Sequence, residues 1–254
     1  MSTIARQPRM ILLSRGLTAS GKTRFALNGT PRPALLLDSD YGAEGLAEDV
    51  LAGVDQRQYD LLAGAFRGES DQARAQIIRN EVERFLADFR AAVDGKIVAS
   101  KESGYEGLPY RHIVVDTASV IWTGLRLRHR TEKSSGFDEA KEVFFSLIRA
   151  AYKSDSINLT LIHHMTTAWA KSSSGQAYKK EGVYEMIGLE EAINKVQLAV
   201  EHRWVAPIPN VKAGRFETVI VKCRENKPLE GEIMEAPDWV TLCSVVAPSV
   251  DWSA

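Results

Sequence analysis

The chain has 254 residues, of which 44% are hydrophobic and 26% charged, and its net charge is −1. These are ordinary values for a soluble globular protein, and the length suffices for one large α/β domain or for a domain with an insertion. Because the chain has no excess of positive charge, any contact with nucleic acid would depend on a local basic surface.

The cysteines and the hydropathy of the chain indicate in which cellular compartment the protein is expected. Two cysteines, Cys223 and Cys243, do not make a disulfide framework, and no signal peptide precedes the first apolar run. No apolar run approaches the roughly 20 residues of a membrane span. We therefore expect a cytoplasmic protein that has no membrane partner.

The most informative stretch lies near the N-terminus, where an apolar run at 10–13 precedes a glycine-rich motif and a helix-like segment. This is G-x-x-x-x-G-K-[ST] placed after a predicted strand and before a predicted helix, as in a P-loop. A glycine-rich turn with a surface lysine is the alternative. The predicted phosphate-binding residues are Gly16, Leu17, Thr18, Ala19, Ser20, Gly21, Lys22, Thr23 and Arg24.

Each residue type of the motif has a chemical reason. Gly16 and Gly21 allow backbone N–H groups to face a phosphate, since no Cβ is in the way. The helix beginning near Lys22 adds the positive end of its dipole. The Lys22 ammonium reaches the β- and γ-phosphates, and the Thr23 hydroxyl ligates Mg²⁺. The motif thus predicts a nucleoside triphosphate site that uses ATP and Mg²⁺.

A buried strand is predicted at 34–37, and it ends in Asp38-Ser39-Asp40. Ligands of open α/β sheets lie at the carboxyl ends of the strands, so both aspartates are expected beside the nucleotide. The alternative is that they cap the following turn. From 41 to 110 we predict a helical elaboration that includes a long helix at 71–93.

A second acidic residue follows the apolar run before Asp116. A strand that ends in aspartate well downstream of a P-loop fits the second acidic motif of P-loop ATPases, in which this carboxylate helps to bind Mg²⁺. Alone the pattern is common. Together with the P-loop it predicts Thr23 and Asp116 as the metal-binding pair. Helices at 118–128 and 137–152 follow.

The strand predicted at 157–162 ends in His163 and His164. Adjacent strand residues point to opposite faces, and no further cysteine or histidine lies nearby, so zinc is disfavoured. A packing or capping role and contact with a γ-phosphate both remain open. For the latter role, His164 is favoured.

Residues 165–187 are predicted to form a long loop that is mobile at 172–175. Aromatic residues interleaved with lysines suit the stacking of unpaired bases and the neutralisation of phosphates. A solvated loop with chance lysines is equally compatible. The candidate nucleic-acid residues in this loop are Trp169, Lys171, Tyr178, Lys179 and Lys180.

The C-terminal third is predicted to hold a helix at 189–201 and a β-hairpin of strands 203–208 and 216–223. The hairpin leads into Lys222-Cys223-Arg224. A tail at 225–254, interrupted by prolines, has one possible strand at 239–246. With no repeat and no clear boundary, we expect a single domain over 1–254.

Taken in order, these landmarks resemble the RecA-type recombinase core. They are the P-loop, strands ending at Asp38–Asp40 and Asp116, a polar loop at 129–136, and the hairpin ending in Lys-x-Arg. The chain looks most like the small phage-encoded RecA-like ATPases that include proposed single-strand annealing proteins. The resemblance implies an α/β fold with a mostly parallel central sheet flanked by helices and a C-terminal β-hairpin.

The resemblance also implies roles for individual residues. Asp40 would be the general base that orients the attacking water, although RecA-type proteins usually carry glutamate there. His163 or His164 would sense the γ-phosphate, and Lys222 and Arg224 would reach a neighbouring subunit's γ-phosphate. The loops after 129 and 165 would bind single-stranded DNA, the first through Arg130 and Lys133.

The implied assembly is a homo-oligomeric ring or filament in the bacterial host cytoplasm. A single-strand binding protein or another recombinase would be a plausible partner. Two other functions remain open at this point. One is a nucleotide or small-molecule kinase, for which the only arginine cluster is Arg126, Arg128 and Arg130. The other is a module whose ATP site controls assembly without significant turnover, which the short side chain of Asp40 supports.

Overall fold

The computed structural model describes residues 9–61, 71–130, 135–171, 177–207 and 214–252. Its strands are β1 (Ile11–Gly16), β2 (Ala34–Asp38), β3 (Val54–Gln58), β4 (His112–Asp116), β5 (Asn158–Lys171), β6 (Ala177–Met186), β7 (Leu198–Val205), β8 (Arg215–Cys223) and β9 (Ile233–Glu235). Its α-helices are α1 (Lys22–Leu27), α2 (Glu48–Leu51), α3 (Asp71–Val93), α4 (Ala118–His129), α5 (Phe137–Lys153) and α6 (Trp239–Val246).

The strands form a sheet in the order β3-β2-β4-β5-β1-β7-β8-β9, and β6 pairs with the distal part of β5. From β3 to β7 all neighbours are parallel, whereas β8 and β9 are antiparallel additions. This confirms the predicted α/β class, the mostly parallel sheet flanked by helices, and the C-terminal hairpin, which is β7–β8. Since β1, β2, β4 and β5 are parallel, their carboxyl ends meet at one edge of the sheet.

The register of the parallel pairs aligns the motif residues. Gly16 at the end of β1 lies opposite His164 in β5, and Asp38 at the end of β2 lies opposite Asp116 in β4. The backbone pairing therefore brings four separate sequence landmarks to one edge of the sheet.

Two hydrophobic cores cover the two faces of the sheet. Alternate residues of β1 point to opposite faces, so Leu13 belongs to one core and Leu12 to the other. The first core is built with α3, α4 and α5, and the second with α1 and α6. The sheet is consequently sandwiched between helical layers, as its continuously apolar strands require.

Two secondary-structure predictions for the C-terminal third are wrong. Residues 239–246, predicted as a strand, form helix α6, in which Trp239, Leu242, Cys243 and Val246 are buried with helical spacing. The side chain of Asp238 caps this helix by accepting from Thr241 N at 2.7 Å. Helical periodicity and the cap together outweigh the β-propensity of the run.

Residues 189–201, predicted as a helix, form a 3₁₀ turn at Glu190–Asn194 and then enter β7 at Leu198. The three residues 198–200 are all buried because β7 lies between β1 and β8. Leu198 and Val200 pack in one core and Ala199 in the other. Burial on both faces requires a strand at this position.

Two further segments differ in detail from expectation. The segment 41–110 contains the predicted helix as α3, and it also contributes β3, which pairs in parallel with β2. Residues 165–187, predicted as a loop, extend β5 and form its antiparallel hairpin with β6. The predicted mobile residues 172–175 lie outside the described residues.

Within the described part of the chain, no helix is both long enough and apolar enough to cross a membrane.

Candidate nucleotide-binding site

The loop between β1 and α1 curls tightly at the edge of the sheet. Ala19 and Gly21 both have left-handed backbone conformations, with φ of 60° and 84°. A Cβ on Gly16 would lie 2.4 Å from Ser20 Oγ and 2.6 Å from the carbonyl oxygen of His202. Only glycine fits at position 16, so the first glycine of the motif is required by a close backbone approach.

The side chain of Lys22 lies inside this loop. Its Nζ donates to the carbonyl oxygen of Leu17 at 2.7 Å and lies 3.5 Å from Ser20 Oγ. Burial lowers the pKa of Lys22, while the carboxylates of Asp116 and Asp40 oppose that shift. A buried ammonium beside a left-handed loop at a helix N-terminus is the arrangement expected for binding a phosphate.

Thr23 and Asp116 are in direct contact. The Thr23 hydroxyl donates to Asp116 Oδ2 at 2.5 Å, so the two predicted metal-binding side chains meet although 93 positions separate them. Burial and the neighbouring carboxylate of Asp40 raise the pKa of Asp116 to about 7, against the opposing hydrogen bond from Thr23. A hydroxyl and a carboxylate are hard oxygen ligands that suit Mg²⁺, which also relieves like-charge repulsion.

The two aspartates after β2 have different environments. Asp38 Oδ1 accepts from Asp40 N and Gly42 N, both at 3.2 Å, and its Oδ2 accepts from Gln56 Nε2 at 3.0 Å. Asp38 therefore shapes the turn, which was the alternative interpretation of the sequence. Asp40 instead lines the cavity beside the P-loop.

His164 and Asp40 meet across the sheet edge. Nε2 of His164 lies 2.8 Å from Asp40 Oδ2, and it is the donor because a carboxylate only accepts. His163 faces the opposite way and is fully buried, with Nδ1 3.2 Å from the carbonyl oxygen of Ile187. Of the two histidines, the structure brings His164 to the predicted site and places His163 in the packed interior.

A cavity of about 670 Å³ joins these groups. It extends from Asp40, Asp116 and His164 along the P-loop to a wall that the sequence did not indicate. The wall residues are His202, Phe216, Thr218, Ala236 and Pro237. They carry no motif. His202 comes from β7, which pairs in parallel with β1, and the other four come from β8 and the segment after β9, which the antiparallel additions bring to the cavity.

Backbone strain also concentrates around this cavity. Among the described residues, the non-glycine residues with positive φ are Ala19, Tyr41 and Ala236, at 60°, 62° and 39°. Ala19 and Ala236 line the cavity, and Tyr41 lies between Asp40 and Gly42, which also line it. Such strain accumulates at functional sites. The strained positions thus coincide with the cavity that the motif indicates.

Lys222 and Arg224 lie at the other end of the sheet. Lys222 on β8 pairs with Ala199 on β7, and Ala199 pairs in turn with Leu13 on β1. Leu13 lies three positions before Gly16, so Lys222 is set back from the edge where the P-loop lies. Lys222 Nζ donates to the carbonyl oxygen of Ile193 at 2.6 Å, and Arg224 donates to that of Asn194 at 2.7 Å. Within this chain, both cations bind the end of the 3₁₀ turn.

The candidate nucleic-acid residues lie mostly on the β5–β6 hairpin. Trp169 is 54% exposed, and Lys179 Nζ lies 5.5 Å from the centre of its ring, with Lys180 exposed nearby in sequence. Lys171 and Tyr178 belong to the same paired strands. Arg130 is exposed at the end of α4, and Lys133 lies outside the described residues.

No family model and no curated protein matches this chain. Among solved structures, the chain is similar to a crystal structure of the RadB recombinase. The TM-score is 0.48 and the sequence identity 16%, over 90% of this chain and 87% of that chain.

Proposed function

We propose that this protein is a RecA-like P-loop ATPase that binds and hydrolyses ATP. The observation that carries the proposal is the convergence of Lys22, Thr23, Asp116, Asp40 and His164 on one cavity. These residues come from four separate segments, and together they provide the phosphate-binding, metal-binding and water-orienting groups that phosphoryl transfer to water requires.

The chain's own residues divide the chemistry among them. The P-loop backbone and Lys22 bind the β- and γ-phosphates, and Thr23 and Asp116 would hold Mg²⁺. When bound, the metal neutralises charge on the β- and γ-oxygens. Asp40 would accept a hydrogen bond from the attacking water and so orient it, and His164 would contact the γ-phosphate.

We further propose that the protein acts on single-stranded DNA, in homologous recombination or annealing in phage or bacteria. Support comes from the β5–β6 hairpin, which begins at His164 and carries the exposed Trp169–Lys179 pair. An exposed aromatic face beside an ammonium suits an unpaired base and its phosphate. Because β5 contains both His164 and Trp169, ATP and DNA would act on the same strand.

The proposed working form is an oligomeric ring or filament, in which Lys222 and Arg224 reach the γ-phosphate of a neighbouring subunit. Their position at the end of the sheet opposite the P-loop suits head-to-tail assembly, since a trans-acting cation lies away from its own site. Reaching a neighbour would require both side chains to leave the carbonyl oxygens of residues 193 and 194.

The first experiment is ATP hydrolysis with and without single-stranded DNA, at two protein concentrations. DNA stimulation and a rate per subunit that rises with concentration are expected. Asp40→Asn should abolish hydrolysis and leave ATP binding intact. A hydrolysis rate per subunit that changes with neither DNA nor protein concentration would contradict the DNA-dependent oligomer. Unchanged turnover in Asp40→Asn would remove Asp40 from the mechanism.

One observation favours a kinase as the second candidate. A separate cavity of about 430 Å³ shares Thr18 and His164 with the nucleotide cavity, as an acceptor pocket beside a γ-phosphate would. Its other walls are mainly apolar, including Leu61, Ile78 and Val120, and they contain none of the clustered arginines. Release of phosphate from ATP in buffer alone, without any acceptor, distinguishes the ATPase from the kinase.

A further inference from the structure

Asp40 and His164 reach each other across an intervening strand. Asp40 follows β2 and His164 belongs to β5, and β4 lies between these two strands. Strands two places apart in a sheet are separated by about 10 Å. The 2.8 Å contact between Asp40 Oδ2 and His164 Nε2 therefore spans the carboxyl end of β4, where Asp116 lies.

The second oxygen of Asp40 is in a different situation. Oδ1 is buried and has no hydrogen-bond partner within the described residues. A Cβ built on Gly42 would lie 3.1 Å from this oxygen and 2.5 Å from Asp116 Oδ2, so Oδ1 faces the side of the cavity that Asp116 occupies. A buried acceptor without a donor is costly unless a ligand of the site supplies the donor.

The backbone of His164 is held by two hydrogen bonds whose partners are themselves bonded to each other. Its backbone N–H donates to Ser119 Oγ at 3.0 Å, and its carbonyl oxygen accepts from Ile187 N at 2.8 Å. Ser119 Oγ in turn donates to the carbonyl oxygen of Ile187 at 2.7 Å. The imidazole thus projects from a backbone that α4 and the end of β6 both hold, while Asp40 projects from a turn.

We propose that His164 is a positioning residue for Asp40: by binding Oδ2 it directs Oδ1 toward the attacking water, and it sets the reach of the short aspartate. The inference rests on the proposed ATPase function and adds that positions 40 and 164 form one unit. Neither side chain can change its length alone without loss of turnover.

The test is a double-mutant cycle in which the side chain at position 40 is lengthened and the side chain at position 164 is shortened. His164→Asn shortens the donor so that it no longer reaches Asp40, and Asp40→Glu lengthens the acid by one methylene. Each single variant should lose about 10²-fold in hydrolysis, since misplacement of a reacting group by 1 Å can cost that much. Asp40→Glu with His164→Asn should recover about tenfold over either single variant, a coupling typical of residues in contact.

The pair also has a readout that does not depend on turnover. In the nucleotide-free protein, the ¹⁵N resonance of His164 Nε2 should report a hydrogen-bonded N–H, and it should shift in Asp40→Ala. The chain has only five histidines, so the signal is readily assigned. The matched control is Asp49→Glu, which makes the same one-methylene change on α2 and should leave both hydrolysis and the His164 resonance unchanged, because this residue lies outside the site.

If the losses in hydrolysis rate of the two single variants simply add in the double variant, or if the His164 Nε2 resonance does not shift in Asp40→Ala, the positioning role is overturned. The ATPase proposal would remain intact. Absence of hydrolysis by the unmodified chain would instead refute the ATPase proposal, and this inference with it. A coupled cycle together with the shifted resonance would establish the pair.

Discussion

At the residue scale, the turn after β2 shows how a buried carboxylate can support a site without lining it. Asp38 is 1% exposed and accepts from two backbone N–H groups of the turn and from Gln56. Burial raises its pKa, and the backbone hydrogen bonds from the turn oppose that effect. The carboxylate of Asp38 therefore keeps Asp40 and Gly42 where the cavity needs them.

We predict that Asp38→Ala impairs hydrolysis more than ATP binding. Loss of the acceptor leaves the N–H groups of Asp40 and Gly42 without their partner, which should lower the free energy of unfolding by about 1–3 kcal/mol. The turn then loosens and Asp40 moves, whereas the P-loop is untouched. Urea denaturation, kcat and the Kd for ATP measure the three effects. Asp49→Ala on α2 is the control, and equal losses in kcat and affinity would contradict the prediction.

At the element scale, the β5–β6 hairpin connects the candidate nucleotide site to an exposed surface. Its base holds His164, and its outer part carries Trp169 opposite Lys179. We predict that Trp169→Ala with Lys179→Ala weakens binding of single-stranded DNA about tenfold or more, because each stacked base contributes about 1–3 kcal/mol. Removal of one phosphate contact should also reduce the salt slope by about 0.7.

Fluorescence anisotropy with a labelled oligonucleotide, over a series of salt concentrations, measures both quantities. Lys101→Ala removes an exposed lysine elsewhere on the surface and serves as the control. If the double variant and the control bind DNA with the same affinity and salt slope, the hairpin is not the DNA-binding element.

At the scale of the whole molecule, the proposed assembly predicts complementation between defective subunits. Lys22→Ala removes the phosphate-binding ammonium but retains the trans-acting cations, and Lys222→Ala with Arg224→Ala does the reverse. Each variant alone should be inactive, because an arginine supplied in trans is worth about 10³–10⁵ in rate. Their mixture should regain hydrolysis, since intact sites then face intact cations.

The control mixture combines Lys22→Ala with Asp40→Asn, in which no subunit has an intact site, and it should stay inactive. Lys222 and Arg224 also bind the 3₁₀ turn within the chain. Thermal denaturation of the Lys222→Ala and Arg224→Ala double variant therefore measures separately how much stability it loses. If the mixture of Lys22→Ala with the Lys222→Ala and Arg224→Ala double variant remains inactive, the trans role of Lys222 and Arg224 is refuted.

Three histidines buried in the sheet give the whole fold a predicted pH dependence. Burial lowers the pKa of His112 to about 3, of His163 to about 4 and of His202 to about 3. The unfolded chain binds these protons near pH 6.5. The histidines' contribution to stability is thus complete above pH 6.5 and is lost as the pH falls toward these folded-state pKa values, by at most about 2 kcal/mol per histidine between pH 6.5 and 5.

Urea denaturation at pH 7, 6 and 5 measures this loss. His112→Asn keeps a hydrogen-bonding group near Thr160 and does not titrate, so its stability should fall less steeply with acid. His129→Asn is the control, since this residue lies at the end of α4 rather than in the sheet. A His112→Asn variant with the wild-type pH slope would contradict the assignment.

The site divides into parts that local sequence predicts and parts that it does not. The P-loop from Gly16 to Thr23 is contiguous, so its spacing alone identifies it. Asp116 and His164 were found because buried parallel strands are recognisable and their ends share one edge. Phe216 and Pro237 were missed, because their place beside the cavity depends on the antiparallel pairing of β8 and β9.

The same distinction applies to the elements. The parallel strands and long helices were predicted because each buries one continuous apolar pattern. At 189–201 and 239–246 the apolar spacing fitted more than one structure, and neighbouring elements decided between them. The predicted loop at 165–187 became a hairpin because β5 continues past the sheet edge and pairs with β6.

By itself, the sequence determined the α/β class, and it predicted the P-loop motif and the aspartate that meets Thr23, since these depend on short-range spacing and on the shared edge of parallel strands. Only the tertiary structure decided that Asp38 shapes a turn while Asp40 binds His164, and that β8 and the segment after β9 complete the cavity. The contact of Asp40 with His164 and the wall from β8 join residues more than 100 positions apart, which no local pattern encodes, and the role of Asp38 follows from which of two nearby carboxylates turns toward the backbone.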